Sequence, residues 1–211
     1  MRTTPARGAC IVVLCVVLGA CAQATAATTA PEPIRIASSY DGPIRQPVTK
    51  LLHDKSSVAV VLATVEQEKP GRWATPGNVR PDPTEAAAHP IFTPFRIRIE
   101  RTLRGAAPVS EVVVQGGAVG EDTNEVNYWP PGVEEGGRAI LILGPPQYPG
   151  LDGTLWVMDS LPVANGQAFI PERWTTRAVT STKRAAEAAT RAGKQRGTWI
   201  PEAAVEALAA G

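Results

Sequence analysis

The sequence predicts a mainly β protein whose strands close, or nearly close, into a small antiparallel barrel, and three observations carry that expectation. In TPFRIRIERTL, residues 93–103, Phe95, Ile97 and Ile99 alternate with Arg96, Arg98 and Glu100. A period of two puts one set on each face of a strand, so the sheet has one wet side. Asn165-Gly166 separates two short apolar runs, and that dipeptide readily adopts the two positive φ angles of a tight hairpin turn. The 211 residues also include 20 prolines and 19 glycines, a usage that favours turns and short strands over long helices.

In chain order, VTKLLHDKS at 48–56 offers one or two helical turns, and VAVVLATVE at 58–66 is rich enough in β-branched residues to be a buried strand. After the alternating strand, RGAAP reads as a turn and SEVVVQGG at 110–117 as the next strand. RAILILG at 138–144 lies between EEGG and a Pro-Pro pair, while TLWVMDS at 154–160 and QAFI at 167–170 flank the Asn-Gly turn. About six strands result, with no helix alternating between them. Composition changes in STKRAAEAATRAG, 181–193, and PEAAVEALAAG, 201–211. Ser181 suits a helix cap and Pro201 a first helical turn. The apolar faces of these helices are mostly alanine, with only Val205 and Leu208 large, so weak docking is expected. Trp156 is expected in the core, and Trp174 and Trp199 against the carboxyl-terminal tail.

The amino-terminal residues have a different logic. Arg2 and Arg7 precede ACIVVLCVVLGA, an apolar run shorter than the roughly 20 residues of a membrane-spanning helix but suited to an export signal. Leu18-Gly19-Ala20-Cys21 resembles the lipobox of bacterial lipoproteins. That resemblance implies cleavage before Cys21, acyl chains on its sulfur, and attachment to the cell membrane outside the cytoplasm, because several chains on one cysteine hold a membrane stably. The alternative is an ordinary secretory signal cleaved after AQATA, residues 22–26. Cys10 and Cys15 leave with either signal, so no disulfide or cysteine metal site is expected in the mature chain. The expected organisation is a signal peptide over 1–20, a flexible tether over 21–47, a β-barrel domain over 48–175 and a helical tail over 176–211. The tether is read from its Ala, Thr, Ser and Pro content, which is too poor in large apolar groups to offset chain entropy.

The order VVLATVE, FRIRIERTLRG, SEVVVQGG, PPGVEEGGRAILILG is similar to the OB-fold barrels of netrin-like modules and tissue inhibitors of metalloproteinases, over about residues 56–172. The resemblance implies an OB-like barrel. In those inhibitors a free amino-terminal cysteine, held on the barrel by disulfides, chelates the protease zinc. An acylated, distant Cys21 does not supply that chemistry, so inhibition is not carried over.

Charge and motifs narrow the function. Net charge is +1 for the whole chain and −1 without Arg2 and Arg7, so binding of nucleic acid through phosphate neutralisation is not expected. His53 and His89 are the only histidines, leaving few parts for a metal site or a Ser/His/Asp triad. There is no GxSxG, HExxH or phosphate-binding glycine loop. Glu134 and Glu135 read as a solvated bend. Glu121, Asp122, Asn124 and Glu125 offer oxygens to a hard cation but lack EF-hand spacing and read as a hydrated loop. No cofactor, metal or catalytic residue is assigned.

Two connections, 67–92 and 116–137, exceed the roughly 12–15 residues usual for structureless loops, and they carry Trp73, Tyr128 and Trp129. Those aromatics either form a rim that stacks on a ligand or fold back to cap the ends of the barrel. The resulting expectation is a lipid-anchored envelope protein displaying a non-enzymatic β-barrel that binds a protein, peptide or glycan through Trp73, Tyr128 and Trp129. The alternatives are a cell-wall hydrolase with scattered carboxylates and a purely structural envelope lipoprotein.

Overall fold

The computed structural model describes residues 31–38, 46–145, 147–171, 174–175 and 197–211. The signal segment, Cys21 and the expected helix at 181–193 lie outside the described residues. Thirteen strands and two helices are described, most of them in the order the sequence suggests. They are β1 (Arg35–Ser38), β2 (Gln46–Pro47), α1 (Val48–Leu52), β3 (Ala59–Glu68), β4 (Arg72–Trp73), β5 (Ile91–Gly105), β6 (Glu111–Gln115), β7 (Gly117–Val119) and β8 (Asp122–Val126). There follow β9 (Arg138–Gly144), β10 (Leu155–Ala164), β11 (Gln167–Pro171), β12 (Trp174–Thr175), β13 (Gly197–Pro201) and α2 (Glu202–Ala210). The fold is mainly β with a short carboxyl-terminal helix.

The largest sheet runs β13-β11-β10-β6-β5-β3-β9, and β9 also pairs with β10. Pairing among β3, β5, β6, β10 and β9 therefore returns to its starting strand. One pairing in this circuit departs from the antiparallel expectation: β6 and β10 run parallel. The chain builds β7, β8 and β9 after β6, and because β10 is antiparallel to β9, β9 to β3, β3 to β5 and β5 to β6, β10 runs in the same direction as β6.

Period-two patterning sorts these strands between two cores. From β3, Ala59, Val61, Ala63 and Val65 join Phe95 and Ile97 of β5, Val112 and Val114 of β6, Leu141 and Leu143 of β9 and Val157 of β10 in one cluster. Val60 and Leu62 point the other way, joining Ile140, Ile142, Leu161, Ile170 and Ile200 in a second cluster that α1 and α2 cover. Both faces of β3 and β9 are thus buried, which is why VAVVLATVE and RAILILG read as continuous apolar runs rather than alternating ones. The hairpin turn between β10 and β11 forms where expected, with Asn165 at φ 51° and Gly166 at φ 71°, and Ala164 opposite Gln167.

Three expectations are corrected. The tether does not extend to residue 47: Ile34 is only 7 % exposed, and β1 pairs in parallel with β8. One large apolar residue with a waiting pocket is enough to order a short segment that composition alone assigns to solvent. Both long connections carry structure of their own, with β4 and two 3-10 turns in the first and β7 and β8 in the second. The tail contains the strand β13 before its helix, and Pro201 is the residue preceding α2 rather than its first turn.

The helix α2, expected to dock weakly or fray, is seated against the sheet. Val205 is buried in the second cluster, and the helix is held by ions as well. Arg138 of β9 donates from Nη1 and Nη2 to Glu202 at 2.8 and 3.0 Å and from Nε to Glu100 at 2.9 Å. Arg101 pairs with Glu202 and Glu206. Hydrogen bonds from Arg138 hold both the Glu202 and the Glu100 carboxyls below their ordinary value of 4.5. Carboxyls depressed in the fold contribute stability above their unfolded pKa and lose it as pH falls through the folded one. Acidification below about pH 4.5 should therefore loosen α2 first, and Glu202→Gln should flatten that dependence. Protection factors of the 202–210 amides, each rate taken relative to the intrinsic rate at that pH, check this, and protection that is unchanged between pH 6 and pH 3 would contradict it.

Candidate functional site

The parallel pairing of β6 with β10 is brief. Val112 stands opposite Leu155 and Val113 opposite Trp156. Beyond that point Val114 and Gln115 pair only with Thr93 and Phe92 of β5, while β10 turns toward β9. Between the diverging strands lies an open groove of about 100 Å³. Val114, Val126, Val157 and Met158 give it apolar walls, and Tyr128, Pro130 and Trp156 face it.

A β-bulge shapes one wall. Val157 pairs with Leu143 and Asp159 with Ile142, so Met158 is the extra residue. A bulge of this kind re-aims side chains by disturbing the alternation. Asp159 follows it and is buried at 1 % exposure. Its carboxylate accepts hydrogen bonds from the Tyr128 hydroxyl and from the Ser160 backbone N–H, both at 2.7 Å. The Ser160 hydroxyl donates to the Pro131 carbonyl at 2.7 Å. Together these bonds fix the second long connection over β10 and set the Tyr128 ring at the groove.

The polar side of the groove is a short relay. Gln115 Nε2 donates to Ser38 Oγ at 3.2 Å, and the Ser38 hydroxyl donates to Asn124 Oδ1 at 3.0 Å. Asn124 in turn donates from Nδ2 to the Ile91 carbonyl at 3.2 Å. Ser38 and Gln115 both line the groove.

The three aromatics expected to form a rim part company. Tyr128 reaches the groove. Trp129 turns inward, its ring edge-on to Phe95 with centroids 6.0 Å apart and its Nε1–H donating to the Val133 carbonyl at 3.0 Å. Trp73 is 1 % exposed and packs with Ile34, Ala86 and Ile91, so it presents no face to a ligand and its expected binding role is withdrawn. The gain from burying an indole outweighs any benefit of keeping it wet, and β4 brings it against β5. Trp156, expected in the core, is half-buried: it packs against the cluster of Ala74, Phe92, Val113 and Leu151 and also lines the groove. The signal in the sequence was Asp159, a carboxylate inside an apolar strand, which needs a built partner network.

Elsewhere the polar residues have structural work. Asp122 accepts from the Ile34 N–H at 2.7 Å and from Arg80 Nε and Nη2 at 2.7 and 2.9 Å. Those Arg80 hydrogen bonds hold its carboxyl below the ordinary value. The run expected to be a hydrated loop is instead the turn into β8 and the strand itself: Asp122 and Asn124 are turned inward and Glu121 and Glu125 exposed, so the four side chains do not converge on a cation. Glu134 and Glu135 are exposed. His53 Nε2 lies 2.7 Å from the Leu208 carbonyl, joining α1 to α2, and His89 is half-buried. Among the described residues no cluster of three or more His, Cys, Asp or Glu is placed to hold a metal ion. Among them, too, no helix is long and apolar enough to cross a membrane.

Comparison with known proteins returns no significant match to this chain, whether among family models, curated proteins or solved structures.

Proposed function

We propose that the chain is a lipid-anchored cell-envelope protein, held to the membrane through acyl chains on Cys21, whose OB-type barrel is a non-enzymatic module that binds an extended peptide in the groove between β6 and β10. The lipobox residues Leu18-Gly19-Ala20-Cys21 support the anchor, and the circuit of five paired strands supports the barrel. The observation that carries the binding reading is the divergence of β6 from β10. It leaves one edge of Val114 and Gln115 without a strand partner among the described residues, directly beside the rings of Tyr128 and Trp156.

An extended peptide uses both features. Its backbone can add to a strand edge, and one apolar or prolyl side chain can settle between the rings. A sugar needs several free hydrogen-bonding side chains around the stacking ring. In this groove Ser38 and Gln115 are already bonded to each other, which favours the peptide over a glycan.

Titration of the labelled protein with a library of extended, apolar and proline-containing decapeptides, and separately with a chitin tetrasaccharide, tests this by NMR. The expected result is peptide-induced shifts at Val114, Gln115 and the Trp156 indole. Trp156→Ala should weaken binding by about 10-fold or more, the loss of one aromatic anchor. Shifts with the saccharide alone would assign the groove to glycans. Release of fragments from purified peptidoglycan would overturn the non-enzymatic reading.

A further inference from the structure

We infer that β1 is a strap that carries Ser38 into the groove: the Arg80–Asp122 clamp at one end of the strap positions Ser38 at the other. The inference takes from the proposed function only that the groove is the site, and its test needs no ligand.

The strap is short and would not hold by strand pairing alone. β1 makes four register pairs with β8, from Arg35 opposite Thr123 to Ser38 opposite Val126, at one edge of a three-stranded sheet. Its start is held by both packing and charge. Ile34 sits in the pocket of Trp73, Ala86 and Ile91, and its N–H is bonded to the Asp122 carboxylate. Asp122 is in turn held by Arg80, which comes from the first long connection. The two long connections meet at this buried carboxylate, as they also do where Val119 packs on the Trp73 cluster, and the carboxylate grips the strap.

At the other end the strap enters the groove. Ser38 and its register partner Val126 both line it. The Ser38 carbonyl accepts from the Asn127 N–H at 3.3 Å, one residue before Tyr128. Four steps of extended chain separate Ile34 from Ser38, about 13 Å, so the clamp acts on the groove without touching it. Releasing the clamp removes the hydrogen-bond partner of Gln115 and one support of the Tyr128 segment together.

Hydrogen exchange and NMR of the full chain carrying Arg80→Ala test this. Loss of the charged hydrogen bonds to Asp122 should speed exchange of the 34–38 amides by about 10-fold or more. The Gln115 side-chain amide and the Trp156 indole signals should shift with it, while the β3 and β9 amides stay protected. Arg80→Lys, which keeps the charge, should give an intermediate effect and carries the test if Arg80→Ala does not fold. Ser38→Ala should move the Gln115 signal and leave residues 34–36 protected. Exchange at 34–38 equal to wild type in Arg80→Ala, or faster exchange there with Gln115 and Trp156 signals unmoved, would overturn the coupling.

Discussion

Replacing Trp73 with alanine is expected to lower the unfolding free energy by about 3–5 kcal/mol, a much larger loss than truncating the half-buried Tyr128. The ring is 1 % exposed and joins segments that are distant in sequence. It packs with Ile34 just before β1, with Ala86 in the first connection and with Ile91 of β5, while Ile36 and Val119 pack against the same cluster. Truncation leaves a cavity that a two-residue strand cannot collapse to fill, and the Ile34 pocket opens with it. The indole N–H has no hydrogen-bond partner among the described residues. Trp73→Phe should therefore cost much less, since it keeps most of the apolar contact and removes an unsatisfied buried donor. Equilibrium denaturation of the three proteins checks both statements. A loss below about 1 kcal/mol for the alanine variant would mean a ring exposed in solution and would return Trp73 to the ligand rim.

Replacing Cys21 with alanine is expected to move the protein almost completely from the membrane fraction to the soluble one. One acyl chain binds a bilayer marginally and reversibly, whereas two or more make the attachment stable. Removing the sulfur removes the whole anchor, so the effect is not graded. The strand pairings and ion pairs described above are all made among residues 34–210, so the soluble variant is expected to keep the wild-type melting temperature. Detergent partitioning together with thermal unfolding distinguishes release from misfolding. A Cys21→Ala protein that still partitions into detergent with an intact fold would contradict acylation at that residue.

Much of the fold was legible because it is written in local patterns. Phe95 and Ile97 with Arg96 and Arg98 announce a strand by period two, and Asn165-Gly166 announces a turn by its backbone preference. What was hidden depends on partners far away in sequence. Nothing local distinguishes Ile34 from a solvated tether residue, since its pocket is built by Trp73, Ala86 and Ile91. The seat of α2 was not legible because its alanine-rich face says little, while its ion pairs reach Arg138 and Arg101 on other strands. The parallel approach of β10 to β6 is a property of the path between them.

The site was half legible for the same reason. Tyr128 was singled out because a long connection carried a costly aromatic, and it reaches the groove. Trp73 and Trp129 were singled out on the same ground and went inward. Trp156 was missed because alternation assigns it to a core strand and cannot show a bulge at Met158. Asp159 was the clue: a carboxylate within LWVMDS has to be satisfied, and the hydroxyl that satisfies it is that of Tyr128.

The proposed attachment of the chain to a membrane through Cys21 is tested most directly by intact-mass analysis of protein extracted from its native envelope, with sequencing of the first residue. Acylation predicts a chain beginning at Cys21 and heavier than the bare polypeptide by glycerol and its fatty acyl chains. A chain beginning downstream of Cys21, or one carrying an unmodified Cys21, would contradict it.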